Sequence, residues 1–177
     1  MIDLVLISGP NGSGKTTLAL RLAEEARARG LTAAAVDMDE LVEMVAGSDW
    51  SKVRLEQREL SSRLAGSICD ELMELGTQLL VVAGSTVSPY EWDLLLRNAR
   101  GPKQPFSILL RVSFEEAKRR AAHDTTRAST WDAATAARLF DAIDWSTVCA
   151  PHLELDTDGL DSDAVLDAVA AVVFPAS

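Results

Sequence analysis

Eight consecutive residues, Gly9-Pro10-Asn11-Gly12-Ser13-Gly14-Lys15-Thr16, fill every fixed position of the pattern G-x-x-x-x-G-K-[ST]. Each residue type has a physical reason to stand where it does. The glycines let backbone N–H groups converge on a phosphate without Cβ interference, and Lys15 reaches the β- and γ-phosphates. The Thr16 hydroxyl ligates Mg²⁺, and the helix that follows, entered through Thr17, offers its positive N-terminal end. The pattern has this meaning only between a strand and a helix, and the flanks supply both. Ile2 to Ile7 is an apolar, β-rich run that stops at a cluster of turn formers. From Lys15 to Arg29, Leu18, Leu22 and Ala26 recur at helical spacing, and Gly30 ends the run. Residues 9–17 are therefore predicted to cradle ATP with Mg²⁺.

The same alternation continues to the end of the sequence. Strands are expected at 32–36, 78–83, 106–112 and 152–155. Helices are expected at about 52–75, 89–97, 114–122, 131–143 and 161–173. On the longest of them, Leu60, Leu64, Ile68 and Leu72 fall at every fourth position, and Gly76 is the stop. Strands separated by helical crossovers mark an α/β domain with a parallel sheet. There is no internal repeat or linker, and 177 residues suit one domain spanning 1–177.

Charge and cysteine usage narrow the function classes. Seventeen Lys and Arg against 27 Asp and Glu leave a net charge of −10, which argues against binding along a nucleic-acid backbone. No stretch approaches the roughly 20 apolar residues that cross a bilayer, and no signal peptide is expected. Cys69 and Cys149 form no CxxC pair and read as reduced core thiols. A cytoplasmic protein, with neither nucleic acid nor membrane as partner, is the expectation.

With these motifs in place, the chain resembles the P-loop kinases of small metabolites: shikimate kinase, gluconate kinase, adenylylsulfate kinase and chloramphenicol phosphotransferase. The resemblance is sharp at residues 9–16 and covers nearly the whole chain in element order. It implies a three-layer P-loop nucleoside triphosphate hydrolase fold, with a five-stranded parallel sheet, helices on both faces and a small lid at about 119–131. It also implies ATP-dependent phosphorylation of a small-molecule hydroxyl.

Three further places carry the resemblance. At Asp37-Met38-Asp39 an acid faces the γ-phosphate and the acceptor. Asp37 is thereby the base candidate and Asp39 the magnesium-linked acid, both near the acceptor; the two could be reversed, because spacing gives no distances, and one could simply cap a helix. After the third strand stand Gly84-Ser85-Thr86 in place of the acid that a nucleotide-hydrolysing motor uses for Mg²⁺. Ser88-Pro89-Tyr90 is similar to a stretch of adenylylsulfate kinase, and Ser85 and Thr86 are acceptor-side candidates. Lys118-Arg119-Arg120 and Arg127 match a mobile lid whose arginines stabilise the transferring phosphoryl group; Arg127 and Arg120 are the catalytic candidates beside Lys15. The alternative for this run is a solvated face with Glu115 paired to Arg119.

Arg58 and Arg63, on the helix after the acids, are acceptor-binding candidates or else surface charges. Trp50 and Trp92 either border the acceptor or pack. His123 and His152 have no partner at catalytic spacing. Asp156-Thr157-Asp158-Gly159 is either an adenine-side loop or a plain turn. A nucleoside or nucleotide kinase is the nearest alternative function. A nucleotide switch lacks its NKxD guanine reader here, and the short length and missing acid disfavour an AAA+-type motor.

Overall fold

The computed structural model describes residues 2–99, 105–123, 137, 140 and 142–175. Five strands form one parallel sheet: β1 (Leu4–Ser8), β2 (Ala33–Asp37), β3 (Leu79–Gly84), β4 (Phe106–Arg111) and β5 (Leu153–Asp156), in the order β2-β3-β1-β4-β5. All residues of β1 and β3 are buried, as expected of strands covered on both faces.

Successive side chains of β1 point to opposite faces and found two cores. Val5 and Ile7, with Val81, Ile108 and Leu110, pack under α1 (Lys15–Ala28) and the C-terminal α7 (Ser162–Val173). Leu4 and Leu6, with Leu80, Val82 and Leu109, pack under α2 (Met38–Ala46), α3 (Leu55–Glu74), α4 (Pro89–Asn98) and α6 (Trp145–Cys149). The sheet is thus the middle of three layers, as the sequence predicts. The remaining described helix, α5 (Phe114–His123), follows β4 and buries Ala117. Ser113 Oγ accepts from the Glu116 amide at 3.3 Å, acting as the expected N-cap. The helix expected at 131–143 and the lid beyond residue 123 fall largely outside the described residues.

The leucine stripe on α3 meets the core only in part: Leu72 packs against it, but Leu60 and Ile68 are exposed, while Ser61, Ser62, Ala65, Gly66 and Cys69 are buried. The helix packs through small residues because α4 lies unusually close. A Cβ on Gly66 would stand 2.3 Å from the Leu95 carbonyl oxygen and 2.7 Å from Asn98 Cβ. The serines tolerate burial because each hydroxyl donates back along the helix, Ser61 to the Gln57 carbonyl at 2.9 Å and Ser62 to the Arg58 carbonyl at 3.1 Å. Gly66→Ala is expected to destabilise the protein by about 1–3 kcal/mol, the usual cost of overpacking. Urea unfolding reads this directly; an unchanged midpoint would refute the close approach of the two helices.

The cysteines are free and buried, as expected. Desolvation pushes the Cys69 thiol up to about 12 and the Cys149 thiol up to about 11, so both stay protonated at neutral pH.

Candidate active site

The loop between β1 and α1 folds back on itself. Ser13 N donates to the Pro10 carbonyl at 3.2 Å, and Lys15 Nζ donates to the same oxygen at 3.0 Å. Two glycines are required by the geometry. A Cβ on Gly9 would lie 2.3 Å from the Leu110 carbonyl oxygen of β4. Gly14, the N-cap of α1, sits in the left-handed region at φ 91°.

The head of α1 is left open. Among the described residues no side chain caps it and no acid of its own lies in its first turn. Ser13 Oγ is buried beside it without a hydrogen-bond partner among the described residues. An orphaned hydroxyl next to an uncapped helix N-terminus fits an incoming phosphate.

The acids at the end of β2 take different positions. Asp37 ends the strand and caps α2: its Oδ1 accepts from the Asp39 amide at 2.8 Å, and its Oδ2 from Thr16 Oγ1 at 2.6 Å. Asp39 is already in the first turn of α2. Its Oδ1 accepts from the Ser85 amide at 2.9 Å and its Oδ2 from Ser85 Oγ at 2.8 Å, and Oδ2 lies 4.0 Å from Lys15 Nζ. Asp37 therefore meets the hydroxyl of the phosphate loop, and Asp39 its lysine. The Thr16–Asp37 pair supplies hard oxygen donors of the kind Mg²⁺ takes, usually one or two carboxylates completed by substrate phosphates. No cluster of three or more His, Cys, Asp or Glu suited to a metal exists among the described residues.

Beside Asp39 lies a buried ion pair. Arg58 Nη2 donates to Glu91 Oε2 at 2.9 Å and to the Ser85 carbonyl at 2.6 Å, and Nε donates to Glu91 Oε2 at 3.2 Å. Glu91 Oε1 accepts from the Val87 amide at 3.0 Å. A carboxyl group this deeply buried, 2% exposed, needs such hydrogen-bond partners. Trp50 faces this pair, its ring centroid 6.0 Å from Arg58 Cζ and its Nε1 donating to Glu43 at 3.2 Å.

Arg63 is not brought to the site. Five residues along a helix turn it well away from Arg58, and it sits exposed near Glu59 at 3.9 Å. Thr86 is buried, its hydroxyl 3.3 Å from Ser8 Oγ.

On the far side of the loop, Arg120 bonds protein atoms through all three of its nitrogens. Nε donates to Glu116 at 2.8 Å, Nη1 to the Gly12 carbonyl at 3.2 Å and to Thr157 Oγ1 at 3.1 Å, and Nη2 to the Thr157 carbonyl at 2.5 Å. It ties the phosphate loop to α5 and to the turn after β5. Arg119 pairs with Glu116 on the surface, and the two arginines hold the Glu116 carboxyl down at about 2, Arg119 contributing first. The expected helix pair thus forms from Glu116, not Glu115. Arg127 lies outside the described residues.

A family model described as an AAA domain matches residues 5–140. The chain belongs to this AAA-domain family. No curated protein sequence matches it. Among solved structures, this AAA-domain protein is similar to a sugar kinase from Janibacter sp. HTCC2649, at TM-score 0.69 and 20% identity over 98% of this chain and 95% of that one. A shikimate kinase from Acinetobacter baumannii, solved with shikimate, gives 0.64 and 16% over 98% and 93%. The Mycobacterium tuberculosis APS kinase, solved with AMPPNP and APS, gives 0.61 and 17% over 98% and 99%. At these identities the likeness is one of fold: the P-loop kinase fold.

Within that fold, this AAA-domain protein has Gly84-Ser85 where β3 ends, and its carboxylates come from β2 and α2 instead. Two site features escape sequence reading. Glu91 looks like any acid in the first turn of a helix, and only the folded chain sets it under Arg58. Asn11 occupies a variable position of the loop motif, yet its side-chain amide lies 2.8 Å from Ser85 Oγ. Trp92 belongs to the core, and His152 packs, its ring stacked on Phe106 and its Nδ1 accepting from the Ser107 amide at 3.1 Å.

Proposed function

We propose that this protein is an ATP-dependent phosphotransferase that moves the γ-phosphoryl group to a hydroxyl of a small molecule, residues 1–177 acting as one domain. The observation that carries the reading is the division of the acidic pair, one carboxylate on Thr16 and the other beside Lys15. One acid serves the metal. A second acid on the phosphoryl side suits removal of a proton from an acceptor. The names of the structural neighbours, a sugar kinase, a shikimate kinase and an APS kinase, support the same class.

The roles we assign reverse the order expected from the sequence. Thr16 and Asp37 hold Mg²⁺, which when bound neutralises phosphate charge. Asp39 takes the proton of the acceptor hydroxyl as its oxygen bonds to the γ-phosphorus and the bond to ADP breaks. Lys15 and the amides of residues 9–17 neutralise the phosphoryl oxygens. Arg58 lines the acceptor side, held there by Glu91. Arg120, with four of its five N–H groups bonded to protein, shapes the phosphate loop, and Arg127 is assigned as the lid arginine for the phosphates. Such an enzyme fits the cytoplasm, where ATP and free thiols coexist.

A transfer screen with γ-labelled ATP against sugars, shikimate-like acids, nucleosides and hydroxylated antibiotics tests this. Label is expected in an acceptor product. Release of label only as inorganic phosphate, at one rate with every acceptor, would leave an ATPase and end the kinase reading.

A further inference from the structure

Ser85 stands where β3 runs out, and both of its donors point at one group. Its backbone amide reaches Asp39 Oδ1 at 2.9 Å and its hydroxyl reaches Asp39 Oδ2 at 2.8 Å. A carboxylate gripped on both oxygens by one residue has its plane fixed, since rotation about either torsion breaks a charge-assisted bond. The hydroxyl is itself held. A serine carries one proton, and the carboxylate is the stronger acceptor for it. The oxygen and nitrogen of an Asn side chain exchange places on a flip, so the hydrogen-bond network decides which one faces a neighbour. Asn11 Oδ1 stands 2.8 Å from Ser85 Oγ; with the serine proton given to Asp39, the flipped amide, which turns its NH₂ to that oxygen, is the arrangement that satisfies both groups. The bonds form one chain: Asn11 amide to Ser85 hydroxyl to Asp39 carboxylate.

We propose that Ser85 is a positioning residue for phosphoryl transfer, aiming the Asp39 carboxylate, and that Asn11 locks the Ser85 hydroxyl so that the phosphate loop and the proton acceptor share one alignment. The inference rests on the role proposed above for Asp39. It changes the sequence expectation for Ser85: its donors serve Asp39 and do not bind acceptor. Rigid aim matters here because proton removal and phosphoryl transfer require near-attack geometry, and a misplacement of about 1 Å can cost on the order of 10²-fold in rate.

The test is a kinetic and stability cycle on the full chain: wild type, Ser85→Ala, Asp39→Asn, the double variant, and Ser85→Thr, which keeps a hydroxyl. ATP turnover is followed with an acceptor found in the screen, or with water as the acceptor. Ser85→Ala is expected to lower kcat roughly 10- to 100-fold with KM for ATP and acceptor unchanged. Ser85→Thr should recover most of the loss, and the double variant should be no slower than Asp39→Asn alone. A raised acceptor KM at unchanged kcat, or losses that multiply in the double variant, overturns the proposal. Urea midpoints of the same proteins read the link without catalysis: non-additive shifts support it and additive shifts refute it. A wild type that turns over no ATP, yet shows the non-additive midpoints, would indict the kinase reading and leave the link standing.

Discussion

Lys15→Ala is expected to reduce ATP turnover by at least roughly 10²–10³-fold, the scale for removing one preorganised charge from a transition state. Lys15 is buried, but by the phosphate loop that wraps it; it belongs to neither hydrophobic core. Its Nζ bonds the Pro10 carbonyl and approaches Asp39, so the ammonium is held at the loop mouth between backbone oxygen and carboxylate. Alanine removes that charge and leaves the strand and helix around it untouched. Circular dichroism should therefore show a folded variant while turnover disappears. A folded Lys15→Ala protein with normal turnover would remove the basis for any nucleotide chemistry at this loop.

Asp39→Asn and Asp37→Asn should fail in different ways. Asp39→Asn keeps the shape of the side chain and loses its basicity, so transfer to an acceptor should fall roughly 10²–10⁴-fold, the usual weight of general-base catalysis. ATP affinity should change little. Asp37→Asn should instead raise the Mg²⁺ concentration needed for half-maximal rate, because the anion beside Thr16 is gone. The α2 helix survives that change, since Asn caps a helix as well as Asp does. Two titrations on each variant separate the cases, ATP at fixed Mg²⁺ and Mg²⁺ at fixed ATP. If the pattern is exchanged between the variants, the roles revert to the order that the sequence suggests. If both behave as wild type, the pair does no more than start a helix.

The sheet, its two helical layers and the phosphate loop are legible in the sequence because local pattern decides them. Buried parallel strands are continuous apolar runs, and the loop motif has fixed spacing. The acidic pair shows where such reading stops. On an extended strand, residues two apart point the same way, and Asp37 and Asp39 look equivalent. In the fold the chain turns helical at Met38, so Asp37 faces Thr16 and Asp39 swings to Ser85 and Lys15. The α3 stripe gives the helix but not its buried face, for a related reason. Periodicity reports which residues share a helix face, while the approach of α4 to Gly66 decides which face is buried. Arg58 and Arg63 have the same composition signal, and only their angular separation on α3 sends one to Glu91 and the other to the surface.

β2 lies at the margin of the sheet, bonded to β3 alone, whereas β1 sits at its centre between β3 and β4. The phosphate loop therefore grows from a strand braced on both sides, and Asp37 and α2 hang from one braced on a single side. A lineage of such proteins can drift on the two sides at different speeds. Insertions and exchanges between residues 38 and 75 disturb one ladder of hydrogen bonds, while comparable changes around β1 disturb two. The molecule is in this sense a fixed chuck with an interchangeable bit: under the proposed function, the grip on the nucleotide is braced at the centre, and the choice of what receives the phosphoryl group is made at the rim.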